Sequence, residues 1–522
     1  MVGSARTFVI VGVEAREVRV EVDVINGIPS FAIVGLPDAA VRESRERVRA
    51  AMINTGFEFP NDRIIANLAP ANLRKGGPGL DLAIAAALLV ATGQVPATAL
   101  ERVWLAGELA LDGRVRPITG VLPMAERVVS CGGGNLVVAE ANKVEAAIAN
   151  HALAAVPGGS AEPPSGGSGS PVDVLAIGDL GELRRLGTDD APAPEPVPEL
   201  PGFEPASDPG APDLADLRGQ PFLRWALEVA AAGGHSLMTV GPPGAGKSMA
   251  ARMLPTILPP LEMEEAIEAM RVASVVGRVP PLERARRRPY RAPHHTISAA
   301  GLVGGGSPPR PGEITMAHRG VLFLDEVPEF NRDCLEALRQ PLEEGRVTIV
   351  RASTAVDLPC RFMLVGAANP CPCGRGDGDP ECECSPARVR FYRARLSGAL
   401  ADRVDISVGV VQPSAESLGG PPGESSAEVR KRVIAARQRQ QERLGRGRCN
   451  ADMTAAEARR HARLDREAAD VLRAGHERLS LTGRGHDRVL RLARTLADLR
   501  GCEAVEAQDI EGAFSLRQRD WN

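Results

Sequence analysis

The sequence predicts an α/β fold. Its composition and its hydrophobic pattern divide the chain into three regions and one linker. A stretch rich in proline and acidic residues, TDDAPAPEPVPELPGFEPASDPGAP, predicts an extended linker over residues 188–212. Residues 1–187 mix strand and helix patterns, whereas apolar strands alternate with helices over residues 213–410, which is typical of a parallel, helix-covered sheet. From residue 411 to residue 522 the pattern is almost entirely helical.

The N-terminal region is predicted to be α+β. FVIVGVEAREVRVEVDVI and FAIVGLP alternate like strands, and AAVRESRERVRAAMINTG has the spacing of an amphipathic helix. The segment PGGSAEPPSGGSGSP from Pro157 predicts a flexible surface loop. No apolar run approaches the roughly 20 residues that span a bilayer, and the charged N-terminus is unlike a signal peptide. We therefore expect a cytoplasmic protein without membrane contact.

Charge and cysteine content limit the classes of function. The net charge of −4 excludes a globally basic nucleic-acid coat, so any DNA contact must be local. Arginines are frequent in the last hundred residues, but acidic residues are interleaved with them, which is typical of a solvated helical face. Five of the nine cysteines are scattered singly, as expected in a reducing compartment.

The segment GPPGAGKS matches the phosphate-loop pattern and lies between the strand HSLMTV and the helix SMAARML. Its glycines allow the backbone to wrap phosphates, whose charge meets amide N–H groups and the positive end of the helix. Lys247 is expected to reach the β- and γ-phosphates of ATP, and Ser248 to ligate Mg²⁺. The residues predicted to bind the nucleotide are Gly241, Pro242, Pro243, Gly244, Ala245, Gly246, Lys247, Ser248 and Asp325.

Two further strands end in polar residues at the predicted nucleotide edge of the sheet. GVLFLDE places Asp325 and Glu326 at a strand end about 80 residues after the phosphate loop. We expect Asp325 to hold the Mg²⁺ shell and Glu326 to polarise the attacking water. FMLVGAAN ends in Asn369, which is suited to orient that water against the γ-phosphate.

The segment NPCPCGRGDGDPECECS holds four cysteines in two C-x-C pairs: Cys371, Cys373, Cys382 and Cys384. The polar loop between the pairs can fold back and bring four thiolates together, which predicts a closed structural zinc site rather than a catalytic one. C-x-C is tighter than the familiar C-x-x-C spacing. Two strained disulfides or four free thiols remain the alternatives.

Five segments together resemble one family: GPPGAGKS, RAPHHTIS, PGEITMAHRGVLFLDEVPEF, LRQPLEEGRVTIVRA and AANPCPCG. In order and spacing they are similar to the ComM/YifB family of Mg-chelatase-like AAA+ ATPases, over nearly the entire chain. The resemblance implies a P-loop AAA+ core with a helical lid, ATP and Mg²⁺ as ligands, and a homo-hexameric ring. It also implies an arginine finger at Arg403 and a sensor arginine at Arg484, for which Arg491 and Arg494 are rivals. A surface salt bridge is the alternative role for either residue.

The N-terminal region is similar to the proteolytic domain of Lon. That family uses a Ser-Lys dyad, with the serine after a Gly-Pro pair, but here Gly79 follows Gly77 and Pro78. Leu122 and Met124 occupy the positions expected for the lysine. Because nucleophilic catalysis needs a nucleophile and a base within reach, we expect an inactive relative that serves assembly or binds a protein partner not yet identified.

The ATPase motifs leave open whether the motor remodels DNA or acts as a metal-insertion or protein-remodelling ATPase. EEGRVTIVRASTAVDLPCRF predicts a β-hairpin around Arg351, and HHTISAAGLVGGGSPPRPGEIT predicts a second, mobile insert. Resemblance to hexameric helicases implies that Arg351 grips single-stranded or branched DNA, with Arg310 and either His294 or His295 as further candidates. A solvated arginine, and histidines that are paired or contact nucleotide indirectly, are the alternatives. The chelatase subunit lacks a Lon-like domain and this cysteine cluster, so the resemblance favours DNA.

Overall fold

The computed structural model describes residues 2–151, 172–201, 212–306, 309–351, 354–376, 379–400, 403–479 and 481–517. The loop predicted from Pro157 lies outside these ranges, as do residues 202–211 of the predicted linker. Within the described ranges, no helix combines the length and the apolar composition needed to cross a membrane.

The N-terminal region folds around one seven-stranded sheet. The strands run in the order β3-β4-β2-β1-β5-β8-β9; β2 is antiparallel to β1 and β4, and the other neighbours are parallel. Every residue of α2 is buried beneath this sheet, because its sequence is almost wholly Ala, Leu, Ile and Val. The elements are β1 (Gly3–Val11), β2 (Glu14–Ile25), β3 (Ser30–Val34), α1 (Ala39–Asn54), β4 (Arg63–Ala69), α2 (Asp81–Ala91), β5 (Val103–Ala106), β6 (Glu108–Leu109), β7 (Val115–Arg116), α3 (Val121–Ser130), β8 (Gly134–Ala139), α4 (Lys143–Ala147) and β9 (Val172–Ile177).

The described first half of the predicted linker follows the N-terminal region. The backbone N–H of Glu195 donates to the carbonyl of Val174 on β9 at 2.8 Å, and His151 Nε2 lies 2.7 Å from the carbonyl oxygen of Pro198. Leu200 packs against the apolar cluster beside α3. Residues 191–201 thus form no helix or strand and are held against the preceding region.

The central region is built on a five-stranded parallel sheet in the order β11-β14-β17-β10-β18. Its strands are short and apolar, and helices cover them. The elements are α5 (Pro221–Gly233), β10 (Leu237–Val240), α6 (Lys247–Ile257), α7 (Met263–Val275), β11 (Tyr290–Arg291), α8 (Ala299–Val303), β12 (Gly304–Gly305), β13 (Arg310–Pro311), α9 (Glu313–Met316), β14 (Val321–Leu324), α10 (Arg332–Ala337), α11 (Arg339–Glu344), β15 (Arg346–Arg351), β16 (Thr354–Pro359), β17 (Met363–Ala368), α12 (Pro386–Ala399) and β18 (Ile406–Gly409).

The C-terminal region is helical, as the sequence predicts. Val433 and Leu492, on two of its helices, lie in the same buried cluster as Leu237 of β10 and Leu254 of α6. The region therefore packs directly on the central sheet and its helices. Its elements are α13 (Ala415–Gly419), α14 (Ser426–Leu444), α15 (Ala455–Ala462), α16 (Arg466–Arg478), α17 (Gly483–Arg500) and α18 (Ala507–Ser515).

The N-terminal region docks on helix α7 of the central region. Arg271 donates two hydrogen bonds to the carboxylate of Glu126 on α3, at 2.7 and 2.9 Å. One turn further along α7, the Ser274 hydroxyl lies 2.5 Å from the carboxylate of Glu145. Burial raises the pKa of Glu145, whereas hydrogen bonds from Ser274, from Asn142 and from the backbone of Leu122 lower it. The interface thus combines a bidentate ion pair with a buried carboxyl group.

A second contact joins the N-terminal region to the β15-β16 hairpin. Gly12 is in the left-handed region, with a φ of +66°, in the turn between β1 and β2. A Cβ atom at Gly12 would overlap Val356 Cγ1 and lie 3.1 Å from Leu358 Cδ2, so the glycine permits close packing. Val13 is buried in the same apolar cluster as the base of the hairpin.

Candidate active site

The phosphate loop joins β10 to α6 at the carboxyl edge of the central sheet. Gly244 and Gly246 adopt φ angles of +77° and +89°, which non-glycine residues rarely reach. Gly246 is the N-cap residue of α6, and Lys247 is its first helical residue. The loop therefore presents backbone amides at the positive end of a helix, where a phosphate is stabilised.

The side chain of Lys247 folds back over the phosphate loop. Its Nζ donates to the carbonyls of Gly241 and Pro242, at 2.6 and 2.8 Å, and to Oδ1 of Asn369 at 3.1 Å. Burial lowers the pKa of Lys247, while Asp325 and Glu326 raise it. The lysine and the asparagine from the third strand are thus brought together, as the sequence predicts for residues that share one phosphate.

Ser248 and Asp325 form the second pair at this edge. The Ser248 hydroxyl donates to Oδ2 of Asp325 at 2.7 Å, across 77 residues of sequence. Hydroxyl and carboxylate oxygens are hard donors that suit Mg²⁺, which keeps several waters and binds through one or two carboxylates together with substrate phosphates. The donor set therefore fits the predicted ion, and these two residues would hold it.

Glu326 has an unusual backbone conformation and a neighbour that the sequence does not predict. Its φ of +50° is left-handed, and its side chain is half exposed. Oε2 of Glu326 lies 3.4 Å from Nδ1 of His295, whose ring contacts that of His294 in a tilted arrangement at a centroid distance of 4.1 Å. The sequence makes His295 a candidate for DNA or for indirect nucleotide contact, and its observed neighbour is the carboxylate expected to polarise water.

The four clustered cysteines come together directly after Asn369. Their sulfur atoms all lie within 4.8 Å of one another, and Cys371 is 3.2 Å from Cys373 and 3.8 Å from Cys382. A tetrahedral zinc site with bonds of about 2.3 Å places sulfurs about 3.8 Å apart. The cysteines are free thiols in the structure. The arrangement therefore fits a metal site with four cysteine ligands and contains no disulfide.

Electrostatics and packing tie this cysteine cluster to the phosphate loop. A backbone hydrogen bond at Arg375 and the neighbouring Cys371 thiol lower the pKa of Cys373 to about 6, which favours a thiolate. Arg375 also forms an ion pair with Glu381 across the loop. Gly374 lies so close to the phosphate loop that a Cβ atom there would be 2.8 Å from Cγ of Pro243. The cysteine cluster thus supports the phosphate loop from one side.

The two arginines expected to act on ATP differ in their surroundings. Nη2 of Arg403 donates to Oε1 of Glu343 on α11 at 2.5 Å, and Glu343 is half exposed. Arg484 is exposed in the first turn of α17. Its rival Arg494 is buried and bound to Asp498 at 2.9 Å, so Arg494 stabilises the C-terminal helices instead.

The two inserts form hairpins that pack on each other. Val347, Ile349, Val356 and Leu358 bury the base of the β15-β16 hairpin, and Gly304 of β12 packs against Ile349. Near the hairpin tip, Val350 is 66% exposed. Arg351 is the last residue of β15, and its side chain lies outside the part that the structure describes. Arg310 is exposed on β13.

The positions that match a Ser-Lys dyad are filled by packing residues. Leu122 and Met124 are buried on α3, and a Cβ atom at Gly79 would lie 3.0 Å from Cδ1 of Ile118. Space for a serine side chain is therefore tight, and neither a nucleophile nor a base occupies these places.

Comparison with known proteins follows the same three regions. The family described as magnesium chelatase, subunit ChlI, matches residues 213–418; the family described as subunit ChlI of Mg-chelatase matches residues 20–142; and the family described as magnesium chelatase, subunit ChlI C-terminal, matches residues 423–517. The chain is 41% identical over 533 residues to the Mycobacterium tuberculosis protein Rv2897c, covering 99% of this chain and 98% of the relative.

Two other relatives are similar over almost their whole length. YifB of Salmonella typhimurium is 39% identical over 519 residues, covering 98% of this chain and 96% of the relative. Competence protein ComM of Haemophilus influenzae is 38% identical over 508 residues, covering 97% of this chain and 95% of the relative. With the phosphate loop, its partner carboxylates and these full-length similarities in place, the chain belongs to the ComM/YifB family of Mg-chelatase-like AAA+ proteins.

Proposed function

We propose that the protein is an ATP-hydrolysing ring motor that remodels DNA, as a helicase or by branch migration. The observation that carries the ATPase part is the meeting of Lys247 with Asn369 and of Ser248 with Asp325 at one sheet edge. In this proposal Lys247 neutralises the β- and γ-phosphates, and Ser248 and Asp325 would hold Mg²⁺, which would supply further positive charge against the phosphates. Glu326 accepts a proton from water that Asn369 helps to orient.

The ring is part of the same proposal. Arg403 is assigned to the ATP of a neighbouring subunit in a homo-hexamer, and Arg484 to the ATP bound beneath its own lid. The Arg403–Glu343 ion pair is half exposed on the carboxylate side, so solvent screens the attraction between the two groups. A guanidinium meets the charge spread over γ-phosphate oxygens with planar donors.

The DNA part of the proposal rests on the two inserts and on one relative. Both inserts form hairpins, they pack on each other, and the tip beside Arg351 projects an exposed Val350. Arg351 is assigned to the phosphate backbone of single-stranded or branched DNA, with Arg310 as a neighbour. One relative carries the name competence protein, which supports a DNA-related role. The N-terminal region is assigned to assembly or to a protein partner.

Zinc completes the proposed set of cofactors. Four cysteine sulfurs with zinc-like spacing and no open position would hold a structural ion. The sequence between Cys373 and Cys382, GRGDGDPE, contains no large apolar residue, so metal binding would order this loop. Its task in this proposal is to hold Asn369 and the phosphate loop in register.

One experiment separates the DNA motor from the other class of motor. ATP hydrolysis is measured with and without single-stranded and branched DNA over a salt series. DNA should stimulate turnover, and its binding should weaken steeply with salt, because the entropic gain from counterion release falls as the salt concentration rises. Arg351→Ala should retain basal hydrolysis but lose its stimulation by DNA. Arg346→Ala is the matched control: its exposed side chain lies at the other end of β15, so it should retain both basal and stimulated hydrolysis. If no DNA structure changes hydrolysis by the wild-type protein, the hypothesis of a DNA motor is replaced by that of a metal-insertion or protein-remodelling ATPase.

A further inference from the structure

A cavity of about 140 Å³ lies at the amino edge of the central sheet. Gly234 before β10, Gly320 before β14 and Met363 at the start of β17 line one side, and α14 with the segment after it lines the other. The phosphate loop, Asp325 and Asn369 follow the opposite ends of the same strands. Strands of four to six residues separate the two edges by roughly 13–20 Å. The cavity is therefore distinct from the nucleotide site.

Arginines dominate the lining of this cavity. Glu265, on α7, already pairs with Arg288 at 3.3 Å and with Arg319 at 3.2 Å. Glu262 caps α7, and Asp452 accepts hydrogen bonds from Cys449. The carboxylates of the lining are therefore engaged. The five lining arginines are Arg288, Arg319, Arg361, Arg437 and Arg448.

Two of these guanidinium groups have no carboxylate partner within the part of the chain that the structure describes. Nε and Nη2 of Arg437, on α14, donate only to the carbonyl of Ala231, at 3.1 and 2.9 Å. Arg361 precedes β17, and no described side chain pairs with its guanidinium. Arg448, by contrast, is neutralised by a bidentate bond to Glu457. Arg361 and Arg437 thus line one cavity, from the central region and from the C-terminal helices, and the side chain of Arg361 also packs beside Gly345.

Local packing preserves the open space and its positive potential. A Cβ atom at Gly234, whose φ is +72°, would overlap the Cys449 sulfur and lie 3.2 Å from Nη2 of Arg437. Burial lowers the pKa of Arg288; the carboxylate of Glu265 raises it, and the neighbouring Arg437 and Arg319 lower it. Arginines gathered around one cavity repel each other, and an anion between them would relieve that repulsion.

We propose that this cavity binds a small phosphate-type oxyanion, either inorganic phosphate or pyrophosphate, through Arg361 and Arg437. A volume of about 140 Å³ exceeds the space for one water but is smaller than the roughly 300 Å³ at which pockets for drug-sized ligands begin. Planar guanidinium groups match tetrahedral phosphate oxygens with paired hydrogen bonds. Because Arg361 lies in the central region and Arg437 in the C-terminal region, the anion joins the two.

Binding is measured on the full chain with the phosphate loop filled by Mg²⁺ and a non-hydrolysable ATP analogue, so that this loop cannot take up the probe. Inorganic phosphate and pyrophosphate are titrated separately by calorimetry, with chloride at matched ionic strength. Arg361→Gln and Arg437→Gln should each weaken binding by about tenfold to a hundredfold, the worth of a charged hydrogen bond. Arg446→Gln removes an exposed arginine that does not line the cavity and should change nothing. The tighter of the two anions identifies the ligand.

Three results would overturn the site. One is an absence of binding by either anion to the wild type with the phosphate loop filled. Another is wild-type affinity in both Arg361→Gln and Arg437→Gln. The third is an equal loss of affinity in Arg446→Gln, which would show that net charge, and not the cavity, governs binding. Arg361 is exposed, so Arg361→Gln is expected to fold and to keep the test informative if Arg437→Gln does not.

Discussion

Replacement of Cys382 by serine tests the cysteine cluster most directly. Its sulfur lies 3.8 Å from that of Cys371 and 3.6 Å from that of Cys373, so it is central to the cluster. Structural zinc binding is worth about 10–16 kcal/mol, and division among four thiolates gives about 3 kcal/mol each. Loss of one thiolate should therefore weaken zinc binding by about a hundredfold.

The substitution should also affect ATP. Gly374, within the cysteine loop, packs on Pro243 of the phosphate loop, so a disordered cluster removes support from one wall of the nucleotide site. We expect Cys382→Ser to bind ATP more weakly and to turn it over more slowly than the wild type. Cys131→Ser is the matched control, because Cys131 is an exposed thiol outside the cluster.

The assay is metal analysis of protein purified without chelator, followed by competition with a zinc-binding dye. The wild type and Cys131→Ser should hold one zinc per chain with equal affinity. A zinc content near zero in the wild type, with all nine thiols titratable, would refute the metal site. Full zinc content with unchanged affinity in Cys382→Ser would refute the assignment of its ligands.

Three further predictions concern catalysis, assembly and pH. Glu326→Gln should bind ATP like the wild type in a fluorescence titration but hydrolyse it orders of magnitude more slowly, whereas Lys247→Ala should lose binding; equal loss of binding in both would show that the carboxylate is misassigned. Arg403→Ala should bind ATP without turnover and regain activity when mixed with Lys247→Ala subunits; a monomer that keeps full activity on dilution contradicts the ring. Burial raises the pKa of Glu268, but hydrogen bonds from His318 and Arg319 lower it to about 2. Its ionised form therefore stabilises the fold above its ordinary pKa of about 4.5, and the free energy of unfolding should fall between pH 4.5 and 2 in denaturant titrations of the wild type but less in Glu268→Gln.

Local sequence signals predict the frame of the nucleotide site. A phosphate loop needs its glycines, lysine and serine within eight residues, so strand, turn and helix are readable together. The meeting of Ser248 with Asp325 follows because β10 and β14 are parallel strands of one sheet that end at the same edge, with β17 between them. The clustering of the cysteines is also predictable, since the loop between the two pairs is short and polar.

Contacts between distant segments give no such signal. His295 meets Glu326 because the loop before α8 folds over the end of β14, and no spacing in the sequence encodes that fold. Gly374 can pack this closely on Pro243 only because glycine has no side chain. The family resemblance assigns Arg403 to a neighbouring subunit, and nothing in the sequence points to its partner Glu343 within the chain. Each of these contacts is set by tertiary packing, which composition and periodicity do not report.

The N-terminal region contacts the central region along helix α7. Glu126 of the N-terminal region forms an ion pair with Arg271 of α7. Glu268, on the same helix, binds His318 and Arg319. The backbone of Arg319 donates to the carbonyl of Arg361 at 2.6 Å, immediately before β14 and β17.

Those two strands carry Asp325 and Asn369 at their other ends, and the turn at Gly12 packs on the proposed DNA hairpin. A displacement of the N-terminal region would therefore reach the nucleotide edge through packed strands and the hairpin by direct contact. The N-terminal region is thus attached to elements that lead to both.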